Sequence, residues 1–134
     1  MAGVVTVAIS VKLTGLGDDV SFSNSQTMTV PTDYQSGYTV VGTSGVQLFD
    51  SITHIALVEI YGVYLKAVAD KIYIAVDTAG TTAVTTTTAD LILNEGEACY
   101  LPINEVTAGA ALGLVLTGDA ATSACQWLVL GSGS

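Results

Sequence analysis

The chain has 134 residues, enough for one domain with its own core. Half of the residues are hydrophobic but only 11% are charged, against about 25% in ordinary globular chains. The net charge is −9, with three lysines as the only bases, which excludes the cationic surface that nucleic acid or an anionic membrane requires. A surface so poor in charge favours a subunit that covers part of itself with copies of itself or with a larger assembly.

Strand patterns begin at the amino terminus. Apolar and polar residues alternate over residues 5–13, and the period of two predicts a strand. The segment "TGLGDD" has the glycines and aspartates of a turn. A second extended run covers residues 20–30 and ends at Pro31, which has no amide hydrogen to donate.

The middle of the chain predicts further strands. Two short ones, residues 38–41 and 46–49, flank a "GTSG" turn. A longer strand covers residues 56–66 and contains Gly62, which indicates a bulge or a close approach of another group. After the turn "AVADK", another strand is expected at residues 72–77.

The carboxyl-terminal third continues the pattern. A threonine-rich loop leads into the strand "ADLIL", and the corner "NEG" is expected to form a hairpin loop into a strand at residues 98–103. The last strands are expected at residues 112–117 and 125–130, and residues 132–134 are expected to be a flexible tail. No segment has helical periodicity over three turns.

Together these elements predict an all-β protein. We expect a jelly-roll-like antiparallel β-sandwich of about eight to ten strands, because turn signals recur every 8–12 residues or so. Residues 1–131 form the single predicted domain, within which residues 1–13 are a candidate arm for swapping between subunits or for lying on a partner. The predicted interface residues share one face of this arm: Val5, Val7, Ile9, Val11 and Leu13.

The stretch "LNEGEACYLPI" holds the most suggestive pair of acids, Glu95 and Glu97. A glycosidase needs two carboxylates on opposite sides of its substrate, roughly 5–10 Å apart. Two carboxylates on one turn point outward and have no second wall to hold a substrate. We therefore interpret Gly96 and Glu97 as a structural turn, in which Gly96 supplies a positive φ.

Nucleophilic catalysis would depend on His54, the only histidine, which Ser51 and Thr53 neighbour in the sequence. Cys99 and Cys125 lie far from it, inside apolar strand patterns, and are expected to be buried free thiols. A disulfide between them would need adjacent strands and an oxidising compartment. We expect no catalytic residue and no enzymatic activity.

Metal binding would depend on oxygen ligands, such as Asp18 and Asp19 together with Asp33 or Asp50. No spaced ligand loop accompanies them, and aspartates in turns commonly accept hydrogen bonds from nearby backbone amides. No phosphate-binding glycine motif is present either. We expect neither a metal nor a cofactor.

The tyrosines leave a second kind of function open, since aromatic rings can stack on sugars. Tyr64, Tyr73 and the threonine run 85–88 are the expected exposed members of such a platform. Tyr61 shares its strand with Val63 and Leu65 and is expected in the core.

Four stretches resemble a pattern in small virion proteins of tailed bacteriophages: "VVGTSGVQLFDSI", "YGVYLKAVADKIYIAVDTAG", "ADLILNEGEACYLPIN" and "CQWLVLGS". They cover roughly residues 38–131. The matching positions are Gly42, Thr43, Ser44, Gly62, Leu65, Lys66, Leu93, Gly96, Glu97 and Trp127. "KAVADK" stands where the pattern has an asparagine-rich turn, and "NEGE" stands where Pro-Gly-Glu is commoner.

The resemblance implies a non-enzymatic β-sandwich accessory protein of the phage head or tail. It leads us to expect a decoration or cement protein in the virion, assembled in the host cytoplasm. The implied partners are further copies of the chain, as a trimer on local symmetry axes, and the major capsid protein or another virion protein. The alternatives are a tail or head-fibre component and a surface carbohydrate-binding module.

Overall fold

The structure is a computed structural model, and it describes residues 3–29, 31–49, 57–77, 84–85, 87–105 and 113–133. In these ranges the regular elements are strands and none is a helix. The described part of the chain therefore has no helix that could cross a membrane.

Ten strands follow one another along the described chain. The first five are β1 (Val5–Leu13), β2 (Val20–Met28), β3 (Asp33–Val40), β4 (Val46–Phe49) and β5 (Leu57–Ala69). The other five are β6 (Ile72–Asp77), β7 (Leu91–Leu93), β8 (Ala98–Glu105), β9 (Gly113–Gly118) and β10 (Ala124–Gly133).

Strands β3 to β10 form two four-stranded antiparallel sheets. One has the order β3-β10-β5-β8 and the other β4-β9-β6-β7. Apart from β6 and β7, each successive strand in this series lies in the opposite sheet from the one before it. This alternation of eight strands between two sheets is the jelly-roll arrangement, so the predicted fold class is confirmed.

The core lies between the inward faces of the two sheets. Val63 and Leu65 of β5 are fully buried, and so are Ile72 and Ile74 of β6 in the opposite sheet. The alternation of β5 explains this burial, because every second side chain points to the same face of a strand. The other buried hydrophobic members of the cluster are Val41, Leu48, Ile60, Ala67, Leu93, Leu114, Leu116, Cys125 and Val129.

Gly62 is a point of close approach, as its position within the β5 sequence indicated. The pairing of β5 with β8 is irregular between Ile60 and Gly62. A Cβ atom at position 62 would overlap Tyr100, whose hydroxyl and ring lie directly over the glycine. The missing side chain thus makes room for the ring of Tyr100 on the outer face of the sheet.

The corner between β7 and β8 differs from the expected hairpin. β7 and β8 belong to different sheets and do not pair, so the hairpin prediction is wrong. The segment crosses from one sheet to the other and bonds to β5 on the way: the amide of Gly96 donates to Ala67 O at 2.8 Å, and the amide of Ala67 donates to Glu97 O at 3.0 Å.

Several strands also have bounds that differ from the sequence prediction. β3 begins at Asp33 rather than at residue 38, because residues 33–37 pair with the end of β10. β10 continues through Gly133, so strand pairing extends into the expected flexible tail. Ser134 lies outside the described residues.

The first two strands are separate from both sheets. β1 and β2 pair only with each other, in register from Val5 opposite Met28 to Leu13 opposite Val20. We call this β1–β2 hairpin the arm. The predicted strand of residues 5–13 is confirmed, but the arm consists of two strands rather than one.

Candidate functional site

The arm has one apolar and one polar face. Residues directly opposite each other in an antiparallel pair point to the same side, so Val11 lies beside Phe22 and Leu13 beside Val20. The other side carries Ser10 beside Ser23 and Lys12 beside Ser21. The five predicted interface residues of β1 therefore share the apolar face with three hydrophobic residues of β2, and with the amide side chains of Gln26 and Asn24 opposite Val7 and Ile9.

The apolar face of the arm is half-buried at its base and exposed beyond it. Val5 and Val7, near the base, are half-buried. Farther out, Ile9 is 54% exposed, Val11 59% and Phe22 69%. The structure thus leaves the outer part of a two-stranded hydrophobic surface uncovered within one chain.

The base of the arm lies over the outer face of the β3-β10-β5-β8 sheet. The hydroxyl of Tyr100 on β8 donates to Met28 Sδ on β2 at 3.7 Å. Burial raises the pKa of Tyr100 because the phenolate would lose solvation. This contact fixes which side of the arm faces the sheet, and that side is the apolar one.

A groove of about 620 Å³ separates the arm from the sheet. Its upper wall is β1 from Val5 to Ser10, and its lower wall includes Tyr64, Tyr100 and Leu128. No charged residue lines it. The volume falls within the range of about 300–1,000 Å³ that ligand sites occupy, and the lining is apolar with a few hydroxyl groups.

The outer face of the sheet continues beyond the groove onto β3. Tyr34 and Tyr38 point to this face, since they pair with Leu130 and Gln126 of β10, and they are 63% and 60% exposed. β3 is also an edge strand, with β10 on one side only. The arm, the groove and β3 therefore form one largely uncharged surface of the molecule.

The Glu95–Glu97 stretch is a turn that Glu97 stabilises. Gly96 has a φ of +85°, which glycine adopts without strain. The carboxylate of Glu97 accepts hydrogen bonds from the backbone amide of Asn94 at 2.8 Å and from its side-chain amide at 3.2 Å. The carboxylate of Glu97 thus accepts hydrogen bonds inside the turn, and the side chain of Glu95 is exposed on the same turn.

Other acidic side chains also accept hydrogen bonds from backbone amides. Asp33 accepts from the amide of Tyr34 at 2.8 Å, Asp90 from that of Val76 at 2.8 Å, and Asp119 from that of Lys71 at 3.2 Å. Asp18 and Asp19 are exposed in the loop of the arm. The described residues contain no group of three His, Cys, Asp or Glu side chains that could hold a metal ion. Asp50 lies outside the described residues.

The two thiols are free, as predicted. Cys125 is fully buried and Cys99 half-buried, and β5 lies between their strands. Burial raises the pKa of Cys99, and it raises that of Cys125 to about 11. Both thiols are therefore protonated at neutral pH, whereas a nucleophilic cysteine needs a lowered pKa. His54, Ser51 and Thr53 lie outside the described residues.

The tyrosines are distributed differently from the expected sugar platform. Tyr64 and Tyr73 are half-buried and lie on different sheets. Thr85 and Thr88 are exposed and bond to each other in a local turn, the amide of Thr85 donating to Thr88 Oγ1 at 2.8 Å. The exposed pair is Tyr34 and Tyr38, which sequence reasoning did not single out because their strand was expected to begin at residue 38.

Comparisons of the chain with protein-family models, with curated proteins and with solved structures find no match. The candidate site consequently depends on the geometry of this chain. Sequence reasoning missed the contribution of β2 to the apolar face. The signal was present in the two alternating runs around "TGLGDD", which is the pattern of a hairpin.

Proposed function

We propose that the chain is a non-enzymatic structural subunit of a tailed-phage virion that decorates or cements the head shell through protein–protein contacts. The observation that carries the proposal is the arm: a two-stranded element outside the sandwich, whose outer apolar residues are 40–69% exposed at Ile9, Val11, Leu13, Val20 and Phe22. An isolated hairpin is marginal in water without a further strand or a packed face. Such an element is expected in a chain whose arm packs against a partner in an assembly.

The composition supports a role in assembly. Only 11% of the residues are charged, and depletion of charge is typical of the centre of protein interfaces. The apolar face of the arm adds exposed hydrophobic residues on two adjacent strands, and an exposed apolar patch commonly marks an interaction site. A cement protein acts by adding contacts between shell subunits, and this surface is of the kind that such contacts require.

The virion assignment is the narrower part of the proposal, and it rests on the resemblance described above. Jelly rolls occur in viral capsid proteins but also in lectins and cupins, so the fold alone does not select among these functions. In the proposed setting the partners are the major capsid protein and further copies of this chain, and the place of assembly is the host cytoplasm.

Immunogold labelling tests the proposal on phage particles produced by cells that express this chain. We expect label on the heads, at many copies per particle. Label confined to tails or to fibres would replace the decoration role with the alternative of a tail or head-fibre component. Particles that carry no label after purification would refute a virion role.

A surface carbohydrate-binding role is the second candidate, favoured by the two exposed tyrosines of β3. Tyr34 and Tyr38 share one face and sit four positions apart, so each ring is open to stack on a sugar. A glycan array probed with the native chain and with Tyr38→Ala tests it. Specific binding that Tyr38→Ala abolishes would support this role, and a blank array with the native chain would refute it.

A further inference from the structure

The groove beneath the arm is only partly filled by the arm above it. Val5 and Val7 are half-buried there, but Ile9, Val11 and Phe22 extend away from the sheet and stay exposed. The same chain thus carries an exposed apolar face on the outer arm and an open, uncharged groove at the base of the arm. We propose that the two surfaces satisfy each other between copies, so that the outer half of one copy's arm lies in the groove of a second copy.

The charge distribution favours a second copy as the occupant. Two chains of net charge −9 repel each other, so a contact between copies has to avoid carboxylates. None of the residues that line the groove is charged, and none of the paired positions on the apolar face is either. The two surfaces therefore meet without bringing like charges together.

The size of the surface predicts a weak contact between copies. The five outer paired positions, from Ile9 opposite Asn24 to Leu13 opposite Val20, at about 3.3 Å each on strands about 4.8 Å apart, give a face roughly 17 Å long and 10 Å wide, or about 170 Å². Reciprocal exchange covers this face and the surface that receives it in both copies, about 700 Å² in all, which is below the range of stable interfaces and typical of a contact that dissociates on dilution. Because Val5 and Val7 are already half-buried, most of the gain comes from the outer residues and the filled groove.

The connection between the arm and the sandwich is compatible with such a contact. Between the arm and β3, the amide of Gly3 donates to Pro31 O and the amide of Thr32 donates to Gly131 O, each at 3.0 Å. No strand of the sandwich pairs with β1 or β2 in the described structure. Reorienting the arm therefore breaks no sheet, and exchange of such an element is an economical route to an oligomer.

This inference rests on the proposed function in one respect, that the chain is a subunit of an assembly. Light scattering over a dilution series tests it with the native chain. We expect a mass of two or three times 13.6 kDa. The double variant Val11→Ser/Phe22→Ser removes two facing apolar side chains, and we expect it to raise the concentration at which the oligomer dissociates by about a hundredfold or more.

The matched control lies on the opposite face of the same strands. Ser21→Thr/Ser23→Thr changes two side chains of β2 there, neither of which lines the groove, and should leave the dissociation concentration within about twofold of the native value. A native chain that is monomeric throughout the series would overturn the inference. So would an oligomer whose dissociation concentration is the same with and without Val11→Ser/Phe22→Ser.

A cross-linking experiment avoids dependence on a variant that unfolds the arm. Both chains carry Cys99→Ser; one also carries Phe22→Cys and the other Ala98→Cys. Ala98 is chosen because it is exposed and lines the groove. Oxidising the mixture should give a covalent heterodimer, whereas Ser23→Cys in place of Phe22→Cys should not. Equal yields from Phe22→Cys and Ser23→Cys would overturn the inference.

Labelling of particles and light scattering together distinguish a wrong arm contact from a wrong virion role. Chains that exchange arms in solution but leave particles unlabelled would refute the virion role and leave the arm contact intact. Labelled heads with a chain whose mass does not depend on the arm would refute the arm contact and leave the virion role intact.

Discussion

Strands of the sandwich and of the arm share the same alternating pattern of apolar residues but differ in how far those residues are buried. In β5 the alternating residues Val63 and Leu65 are fully buried, while in β1 the alternating residues Val11 and Leu13 are 59% and 45% exposed. Both strands have apolar side chains at every second position. The difference is the second sheet, which covers the inward face of β5 and has no counterpart over the outer arm. An alternating pattern therefore predicts that a strand has an apolar face. Whether another part of the same chain packs against that face depends on the tertiary structure.

The largest expected effect comes from the same substitution made in both regions. Leu65→Ala should lower the free energy of unfolding by about 2–5 kcal/mol, because it leaves a cavity in a closed core. Leu13→Ala should change it by no more than about 0.5 kcal/mol, since the site is open to water. Urea denaturation at a concentration where the chain is monomeric measures both. Equal losses would show that the arm is packed as tightly as the sandwich.

The pH dependence of stability tests the interior of the sandwich. Folding raises the pKa of Cys125 from 9.0 to about 11, so between these values the unfolded chain loses the proton and the folded chain keeps it. The stabilisation is complete below pH 9 and is lost as the pH rises toward 11, by roughly 2–3 kcal/mol at about 1.4 kcal/mol per unit.

Urea denaturation at pH 8 and at pH 11 measures this loss. Tyrosines and lysines also titrate in this range, so Cys125→Ala is the comparison that isolates the thiol. We expect a shallower decline with that variant. An identical decline with and without the thiol would contradict the assignment.

Gly62→Ala tests the junction between the two regions. The added methyl group would displace the ring of Tyr100, which contacts Met28 of the arm. We expect a loss of about 1–3 kcal/mol from overpacking, together with greater hydrogen exchange at the base of the arm. Tyr100→Ala in the same chain should relieve the overlap, and a double-mutant cycle measures that coupling. Additive losses would mean that the ring is not the group displaced.

The smallest expected effect lies in the sheet-crossing turn. Glu97→Ala removes the acceptor of two hydrogen bonds from Asn94 and should cost about 1 kcal/mol. Glu95→Ala, two positions away on the exposed side of the turn, should cost less than about 0.5 kcal/mol. Thermal denaturation compares the two variants. A larger loss for Glu95→Ala would show that the roles of the two carboxylates are reversed.

Local patterns predicted several elements with little error. β1, β4 and β6 have the predicted bounds, because each is a compact alternating or apolar run bounded by turn residues. Gly96 and Gly62 were also recognisable, one from turn chemistry and the other from its position inside a strand. Such features depend on a few adjacent residues, so one sequence is sufficient to find them.

The sequence by itself determined an all-β chain with little charge and with turns at its glycines and aspartates. Only the tertiary structure decided that β7 and β8 join different sheets, that β3 begins at Asp33, and that β1 and β2 stand apart as an arm. The physical reason is that strand pairing connects segments far apart in the chain, and the burial of a face depends on what packs against it. The outer apolar face of the arm is therefore the part of the described structure that the two sheets of the same chain leave uncovered.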